Sequence, residues 1–280
     1  MIISGKAAVA GVMGWPVSHS KSPRLHGFWL DHYGIDGTYI PMAVTPDEFE
    51  TAVRGMKALG MKGCNVTVPH KENALRLADV ATERAKKIGA ANTLIVQDDG
   101  SILADNTDGY GFYENLIQGA PGWDATKGAA VVLGAGGAAR AVIVALIEAG
   151  VPEIRLINRT SARADNLASE LDGNITVVDW ASRELALAEC NLLCNTTTLG
   201  MTGQALLEID IFDLPKTALV NDIVYAPLVT NLLDKAMAHG CETVDGIGML
   251  LHQARPGFKA WFGKDPEVSD DLRDYVLADG

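Results

Sequence analysis

The second half of the chain alternates short apolar runs with segments whose apolar residues recur at helical spacing. The clearest of the helical segments covers 229–239. Strands are predicted for the apolar runs at 129–133, 153–157, 174–178, 191–195, 217–224 and 241–245. Because strands and helices alternate in this way, the pattern predicts a parallel, doubly wound sheet.

The first part of the chain mixes strands and helices with less regularity. Apolar runs predict strands at 7–13, 38–44 and 63–68. A hairpin is predicted where the runs 92–96 and 101–104 flank the turn sequence Asp98-Asp99-Gly100. The whole chain is therefore expected to have an α/β fold.

Three local signals refine this outline. Ser22 is expected to cap the first long helix, with Pro23 at its first position. The segment 119–122, Gly-Ala-Pro-Gly, is the best candidate for a break between domains. The chain is helical over 246–261 and again over 268–277, outside the alternation, and we expect these last helices to return to the first domain.

A glycine-rich turn follows the first strand of the alternating half. Glycines in the turn allow a sharp bend and a close approach to a ligand, and the small Ala139 lets the next helix pack closely on the strand. The first amides of that helix suit a pyrophosphate. The predicted dinucleotide-binding residues are Gly134, Ala135, Gly136, Gly137 and Ala138. The alternative is a plain turn between a strand and a helix.

Composition and charge restrict the partners. The 280 residues are 48% hydrophobic and 21% charged, as in an ordinary globular protein of one or two domains. The net charge of −12 argues against nucleic acid and anionic membranes as partners. No signal peptide is predicted, because Gly11 and Gly14 interrupt the first apolar run, which is typical of a strand. No membrane span is predicted, because the most apolar long window, 129–149, contains turn positions and Arg140.

The cysteines and histidines indicate no disulfide framework and no metal site. Cys64, Cys190, Cys194 and Cys241 lack C-x-x-C or framework spacing, which favours reduced thiols in a cytoplasmic protein. The six histidines show no spacing for metal ligands. We therefore expect a cytoplasmic protein without a bound metal. The sequence does not indicate the oligomeric state, and both a monomer and a homodimer stay open.

The end of the second strand of the alternating half indicates which dinucleotide binds. In NAD-binding folds an acidic residue about 20 positions past the glycines holds the ribose 2′-hydroxyl. Here Asn158 takes that place, and Arg159, Thr160 and Arg163 follow it. Guanidinium groups bind a 2′-phosphate that a carboxylate would repel, so the pattern favours NADP. The alternative is an exposed basic helix start, which is unfavourable at the positive end of a helix dipole without an anion.

Other polar residues stand where predicted strands end. Thr196 follows the fourth strand of the alternating half and should border the cofactor, unless it belongs to a simple polar turn. Lys71 and Asp108 are candidates for a proton donor and its partner, with a solvated lysine and a helix cap as alternatives. Ser18 and Ser20 form a hydroxyl-rich loop that could equally supply turn and cap bonds.

A series of motifs, in order along almost the whole chain, closely resembles the shikimate dehydrogenase family. In the first half they are G-x-P-V-x-H-S-x-S-P at 14–23, N-V-T-x-P-x-K at 65–71, G-A-x-N-T at 89–93 and N-T-D-x-x-G at 106–111. In the second half they are G-A-G-G-A-x-R at 134–140, N-R-T at 158–160, D-I-V-Y-x-P at 222–227 and D-G-x-G-M-L-x-x-Q at 245–253. Only the segment after Trp261 carries no family motif.

The resemblance implies a two-domain enzyme that reduces 3-dehydroshikimate to shikimate with NADPH, on the route to aromatic amino acids. It implies a substrate domain over 1–107, an NADP domain with a Rossmann-like sheet over 108–245, and helices over 246–280 that return to the first domain. The residues that it assigns to the substrate are Ser18, Ser20, Asn65, Thr67, Lys71, Asn92, Asp108, Tyr225 and Gln253.

The resemblance also implies particular chemical roles. Lys71 and Asp108 resemble the family's catalytic pair. During the reduction, negative charge develops on the carbonyl oxygen, and an ammonium at Lys71 can stabilise that charge and supply the proton. Ile223 and Met249 are implied as apolar walls near the nicotinamide, and Gly246 as part of the cofactor site.

Two alternatives stay open. A quinate/shikimate dehydrogenase would accept a substrate with an additional hydroxyl and often NAD. Arg159 and Arg163 argue against NAD, whereas the serine pair fits both enzymes. A non-catalytic relative that only binds a ligand would have no use for the pair of Lys71 and Asp108.

Overall fold

The structure, a computed structural model, describes residues 3–278, which form two compact units. The first unit comprises the residues up to Thr107 together with those from Gln253 onward, and the second comprises Asp108–His252. The second unit therefore ends at His252, whereas the family resemblance implied an NADP domain that ends at residue 245. Residues 1–2 and 279–280 of the predicted domains lie outside the described residues.

A mixed sheet forms the centre of the first unit. Its strands are β1 (Ala8–Gly14), β2 (Gly37–Ala43), β3 (Gly63–Val66), β4 (Val80–Ala81), β5 (Thr93–Val96) and β6 (Ile102–Asp105), in the order β2-β1-β3-β5-β6-β4. β1 is parallel to β2 and β3, whereas β5 is antiparallel to β3 and β6, as the predicted hairpin requires. The first residues of β5 therefore lie at the same edge as the last residues of β1, β3 and β6, and this edge is called the polar edge.

Helices cover both faces of this sheet. They are α1 (Ser22–His32), α2 (Phe49–Ala58), α3 (Lys71–Leu77), α4 (Glu83–Ile88), the last part of α9 (Ile247–Phe262) and α10 (Asp270–Leu277). On one face Phe49, Val53 and Met56 of α2 pack into the same core as the strand residues Cys64 and Leu94. On the other face α1 and the end of α9 pack together through aromatic side chains such as Trp29 and Phe258, whose ring centroids are 5.1 Å apart.

The C-terminal helices are tied to α1 and to the sheet by hydrogen bonds within the first unit. Trp261 Nε1 on α9 donates to the backbone oxygen of Leu94 on β5 at 3.1 Å. Lys21 Nζ, next to α1, donates to the backbone oxygen of Val276 on α10 at 3.0 Å. The first unit is thus built from the two ends of the described chain.

The second unit has a fully parallel sheet. Its strands are β7 (Ala129–Leu133), β8 (Ile154–Asn158), β9 (Ile175–Asp179), β10 (Cys190–Asn195), β11 (Leu219–Asp222) and β12 (Glu242–Val244), in the order β12-β11-β10-β7-β8-β9. Numbered within the unit, this is the 3-2-1-4-5-6 order of doubly wound dinucleotide-binding sheets. Its helices are α5 (Asp108–Gly119), α6 (Gly137–Glu148), α7 (Ser161–Glu170), α8 (Asn231–His239) and the start of α9. The predicted α/β fold with a doubly wound sheet is confirmed.

Two local predictions were wrong, and one pair of elements was missed. Ser22 is not the cap of α1, because the helix already begins at Ser22 and Lys21 takes the cap position without a side-chain cap bond. The segment 119–122 is not a domain break but the turn that ends α5, where Ala120 N donates to the oxygen of Leu116 at 2.8 Å. The short elements β4 and α4 were not predicted, although Thr82 caps α4 through a bond from Ala85 N at 3.2 Å.

Candidate active site

The loop after β1 carries the predicted serine pair at the polar edge. Ser18 is exposed and Ser20 is half-buried. The Oγ of Ser20 accepts a hydrogen bond from the backbone N–H of Ser22 at 3.3 Å, where α1 begins. Ser20 therefore stabilises the turn before α1, as the alternative interpretation of this loop expected. Its hydroxyl can still donate its own proton to a ligand.

The loop after β3 places Lys71 beside this serine loop. Thr67 N donates to the oxygen of Met13 at the end of β1 (2.9 Å), and His70 N donates to the oxygen of Thr67 (3.0 Å). Lys71 is the first residue of α3 and is half-buried, and its backbone oxygen accepts from Ala91 N at 2.9 Å. Neighbouring parallel strands therefore bring the serines, Thr67 and Lys71 to one edge.

Two buried carboxamides lie at the same edge. Asn65 near the end of β3 is 5% exposed, and Asn92 just before β5 is 3% exposed. The Nδ2 of Asn65 donates to the backbone oxygen of Asn92 at 3.1 Å. Because buried amides without partners are costly, these bonds fix how each side chain is oriented.

The carboxamide of Asn92 also joins residues that are far apart in the sequence. Thr107 N donates to Asn92 Oδ1 at 2.9 Å, and Asn92 Nδ2 donates to Gln253 Oε1 at 3.3 Å. Thr107 Oγ1 donates to the backbone oxygen of Gln253 at 2.8 Å. Four predicted substrate residues, Asn65, Thr67, Asn92 and Gln253, are thus brought to one edge with Lys71.

An ion pair that sequence analysis missed holds the end of β6. Arg84 donates to Asp105 through Nε (2.8 Å) and Nη2 (2.5 Å), and Thr82 Oγ1 donates to the same carboxylate (2.7 Å). Burial acts to raise the pKa of Asp105, but the bonds from Arg84 and Thr82 outweigh it and leave the pKa below its ordinary value. The pair anchors the chain just before Asn106 and Thr107.

Asp108 and Tyr225, the other predicted substrate residues, belong to the second unit. Asp108 is the first residue of α5 and is half-buried. Tyr225 follows β11, and burial raises its pKa above the ordinary value of a tyrosine. Its phenol is therefore neutral and able to donate a hydrogen bond at neutral pH.

The glycine turn lies at the point where the strand order of the second sheet reverses, between β7 and β10. The edge of this parallel sheet at which β7, β8, β10 and β11 end is called the switch edge. Gly134 has a φ of +109°, and a Cβ there would lie 2.7 Å from Thr196 Oγ1 at the end of β10. A Cβ at Gly136 or Gly137 would meet no described atom within 4 Å. Only the first glycine is required by the fold, and the other two leave the start of α6 open to a ligand.

The end of β8 is basic. Asn158 Nδ2 donates to the backbone oxygen of Thr160 at 2.8 Å and shapes the turn before α7. Arg159 and Arg163 are exposed, and neither forms an ion pair with a described carboxylate. Two cationic side chains at a helix start, neither of them in an ion pair, suit an anion such as a 2′-phosphate.

One acidic residue near this turn was missed. Asp179, the last residue of β9, lies in register with Asn158, and Ser161 Oγ donates to its carboxylate at 3.4 Å. A sequence pattern that considers only the end of β8 cannot find it, because it comes from the next strand. Asp179 is exposed, so its charge is largely screened by solvent.

A buried carboxylate organises the end of β11. Asp222 accepts hydrogen bonds from Asn195 Nδ2 (3.0 Å), Val224 N (3.0 Å) and Thr230 Oγ1 (2.7 Å). Burial raises the pKa of Asp222 above its ordinary value, although these three bonds act to lower it. The carboxylate thereby fixes the segment that contains Ile223.

The remaining predicted cofactor residues lie next to that segment. Gly246 packs so closely on the backbone of Ile223 that any Cβ would clash with the Ile223 carbonyl oxygen. Met249 is half-buried in the first turn of α9. The structure therefore brings Gly246 and Ile223 together within the second unit.

Among residues 3–278 no cluster of histidine, cysteine, aspartate and glutamate side chains is placed to hold a metal ion. All four cysteines are buried free thiols. Within the same described range, no helix has both the length and the apolar character needed to cross a membrane.

The fold and the two edges define a class of protein. A parallel sheet of this order, with a glycine turn at its reversal point and arginines at the neighbouring strand end, defines a dinucleotide-binding protein of the NADP type. The first unit of the same chain presents a polar edge with a lysine, Lys71. The residues at the switch edge fit NADP on this structure's own geometry.

Comparison with known proteins identifies the family. The chain matches the family model described as shikimate dehydrogenase substrate binding domain over residues 12–94, and the model described as shikimate / quinate 5-dehydrogenase over 120–202. A protein from Paramagnetospirillum magneticum named shikimate dehydrogenase (NADP(+)) is 61% identical over 99% of this chain and 100% of its own length. The chain therefore belongs to the shikimate dehydrogenase family, and the predicted family is confirmed.

Solved structures agree with this assignment. Shikimate 5-dehydrogenase from Thermus thermophilus, in complex with NADP(H) and shikimate, has a TM-score of 0.85 at 34% identity and covers 97% of this chain and 99% of its own. Quinate dehydrogenase from Corynebacterium glutamicum, in complex with NAD, has a TM-score of 0.90 at 30% identity, with coverages of 97% and 99%.

Proposed function

We propose that this protein is an NADP-dependent oxidoreductase that reversibly reduces 3-dehydroshikimate to shikimate. The observation that carries the proposal is the 61% identity, over the full length of the relative, to a protein named shikimate dehydrogenase (NADP(+)). The retained Lys71 and Asp108 support an enzyme over a non-catalytic relative, because a ligand sensor needs no proton donor.

The polar edge supplies the groups that bind the substrate. Shikimate carries a carboxylate and three ring hydroxyls, and neutral hydroxyls at Ser18 and Ser20 suit the carboxylate. Asn65, Thr67, Asn92 and Gln253 hold the ring hydroxyls, and the family resemblance adds Asp108 and Tyr225 to the substrate residues. A site built from paired polar groups rejects analogues that leave those groups unsatisfied.

Lys71 supplies the proton. When bound, NADPH provides the hydride for the carbonyl carbon. The ammonium of Lys71 stabilises the negative charge that develops on the carbonyl oxygen and donates a proton to it, and the neutral amine accepts that proton in the reverse direction. The family resemblance assigns Asp108 as the catalytic partner of Lys71.

The switch edge holds the cofactor. Gly134, Ala135, Gly136, Gly137 and Ala138 contact the pyrophosphate, and Thr196 borders it. Asn158, Arg159, Thr160 and Arg163 hold the 2′-phosphate, and the exposed, unpaired state of the two arginines supports this role. Ile223, Gly246 and Met249 line the nicotinamide end.

An activity assay tests the proposal. The purified protein is offered shikimate and quinate, each with NADP+ and with NAD+, and reduced cofactor is followed by absorbance. We expect the highest kcat/KM with shikimate and NADP+. Absence of turnover of shikimate with either cofactor would refute the proposal, and a preference for quinate with NAD+ would favour the quinate dehydrogenase alternative.

We further propose a cytoplasmic location, which the four free buried thiols support. The oligomeric state is either a monomer or a homodimer. Size-exclusion chromatography with light scattering distinguishes a mass near 29.7 kDa from twice that value.

A further inference from the structure

Tyr39 lies beside the polar edge without belonging to any motif that carries the family resemblance. It lies on β2 and is 7% exposed. Its hydroxyl forms a 2.6 Å hydrogen bond with Asn65 Oδ1, although β1 separates their two strands in the sheet. Tyr39 and Gly63 pair with Ala10 on β1, and Asn65 pairs with Val12, so these residues face the same side of the sheet.

The direction of this hydrogen bond follows from the neighbours of Asn65. Asn65 Nδ2 lies 3.1 Å from the backbone oxygen of Asn92 and 3.2 Å from Thr93 Oγ1. A backbone oxygen can only accept, so the NH2 group must face Asn92 and the carbonyl oxygen must face Tyr39. Tyr39 is therefore the donor. With the amide rotated by half a turn, two carbonyl oxygens would face each other in a buried place.

The ring of Tyr39 is itself fixed. It stacks on the imidazole of His26, with ring centroids 3.9 Å apart and planes 3° apart. Trp261 of α9 packs against both rings, with centroids 5.7 Å from His26 and 6.0 Å from Tyr39. Burial lowers the pKa of His26 to about 3 and raises that of Tyr39 well above its ordinary value, so both rings are neutral at neutral pH.

The bonds of Asn65 limit what it can offer to a ligand. Both of its N–H groups are directed at protein acceptors, and one position on its carbonyl oxygen is taken by Tyr39. The carbonyl oxygen retains a second acceptor position. Tyr39 therefore determines where that remaining position points.

We propose that Tyr39 is a positioning residue for substrate recognition: its hydroxyl holds the Asn65 carboxamide in the orientation that accepts a hydrogen bond from a ring hydroxyl of the substrate. This inference rests on the proposed substrate role of Asn65. It adds a residue on another strand, with no expected contact to the substrate, to the determinants of specificity.

The test is Tyr39→Phe, which removes one oxygen and keeps the ring stack on His26. We expect the KM for shikimate to rise roughly 2- to 10-fold, the size of one hydrogen bond, while kcat and the KM for NADP+ stay within about twofold. The matched control is Tyr33→Phe, which removes a hydroxyl that accepts from Glu267 N at 3.1 Å in the same unit. The control should alter thermal stability and leave the KM for shikimate unchanged.

A double-mutant cycle with Asn65→Ala separates a positioning role from general structural damage. Tyr39→Phe should have no further effect on shikimate binding in the Asn65→Ala background. An unchanged KM in Tyr39→Phe, or an equal loss in both backgrounds, would overturn the inference while leaving the role of Asn65 intact. Unchanged shikimate binding in Asn65→Ala alone would refute the role of Asn65 and the inference with it.

Substrate analogues provide a second test, because a purely structural role of Tyr39 would affect the binding of shikimate and of its analogues equally. Each of two shikimate analogues lacks one of the non-reacting ring hydroxyls. The loss caused by Tyr39→Phe should disappear for the analogue that lacks the hydroxyl bound by Asn65. Equal losses for shikimate and both analogues would contradict the inference.

Discussion

The polar edge of the first sheet and the switch edge of the second offer different chemical groups to a ligand. At the polar edge the proposed ligand-binding groups are side chains, and Asn65, Asn92 and Thr107 are at most 5% exposed and bonded to one another. At the switch edge they are mainly backbone amides and exposed side chains, and a Cβ at Gly136 or Gly137 would meet no described atom within 4 Å.

This difference determines how each edge responds to change. A buried network transmits the loss of one partner to the others, because each unsatisfied polar group costs about 1–3 kcal/mol. An exposed arginine acts alone, and its removal affects only the ligand that it touches. We therefore expect substrate selectivity to depend on several coupled residues, and cofactor selectivity on individual charges.

The largest expected effect is at the polar edge. Lys71→Ala should lower kcat by roughly 10²–10⁴-fold, because the proton donor is lost, with little change in shikimate binding. Steady-state kinetics and calorimetric titration measure the two quantities. Lys62→Ala, an exposed lysine of the same unit, is the control. Full activity of the Lys71 variant would remove it from the catalytic role.

The stability of the first unit should depend on pH through His26. Its folded pKa of about 3 lies below the ordinary 6.5, so the unfolded chain binds the proton more readily. The contribution of neutral His26 is complete above pH 6.5 and is lost as the pH falls towards 3. Between pH 6.5 and 4 the free energy of unfolding should fall by about 3 kcal/mol more than in His26→Phe. Denaturant titrations measure this, and parallel pH curves would contradict it.

A smaller effect is expected at the switch edge. Arg159→Ala should weaken NADP+ by roughly 10- to 100-fold through loss of a guanidinium–phosphate contact, and should spare NAD+. Fluorescence titration with each cofactor measures the change. Arg54→Ala, on α2 of the first unit, changes the net charge equally and should alter neither affinity. Equal losses for both cofactors would refute the 2′-phosphate assignment.

The smallest expected effect concerns Asp179, whose carboxylate lies near the same turn. Asp179→Asn removes a like charge from the vicinity of the phosphate and should tighten NADP+ about 2- to 3-fold, as expected for an exposed charge. The gain should shrink at high salt. Asp172→Asn, an exposed acid before β9, is the control. Weaker NADP+ binding in the Asp179 variant would show that its bond from Ser161 matters more than its charge.

The alternating half of the chain was predictable because each strand and helix there has a local pattern of apolar residues. The strands of the second sheet are short segments rich in apolar residues, and the glycine turn and Asn158-Arg159 stand at the ends of β7 and β8. In the first unit β4 has only two residues and α4 only six, too few for a hydrophobic period to be recognised. The cap residue Thr82 was the available signal.

The partners within the polar edge were not predictable from the residues alone. Motif resemblance selected Asn65, Asn92 and Gln253, but the bond between Asn92 and Gln253 joins residues 161 positions apart. Tyr39 reaches Asn65 only because the register places both on one side of the sheet with the small Ala10 between their strands. Such pairs depend on sheet register, which a single sequence does not contain.

We propose that the polar edge binds the substrate and the switch edge binds the cofactor. The most direct test is equilibrium binding of shikimate and of NADP+, each alone, to Asn65→Ala and to Arg159→Ala. We predict that Asn65→Ala weakens shikimate by roughly 10- to 100-fold and leaves NADP+ within about twofold, and that Arg159→Ala does the reverse. If both variants weaken both ligands to the same degree, the two edges do not bind substrate and cofactor separately.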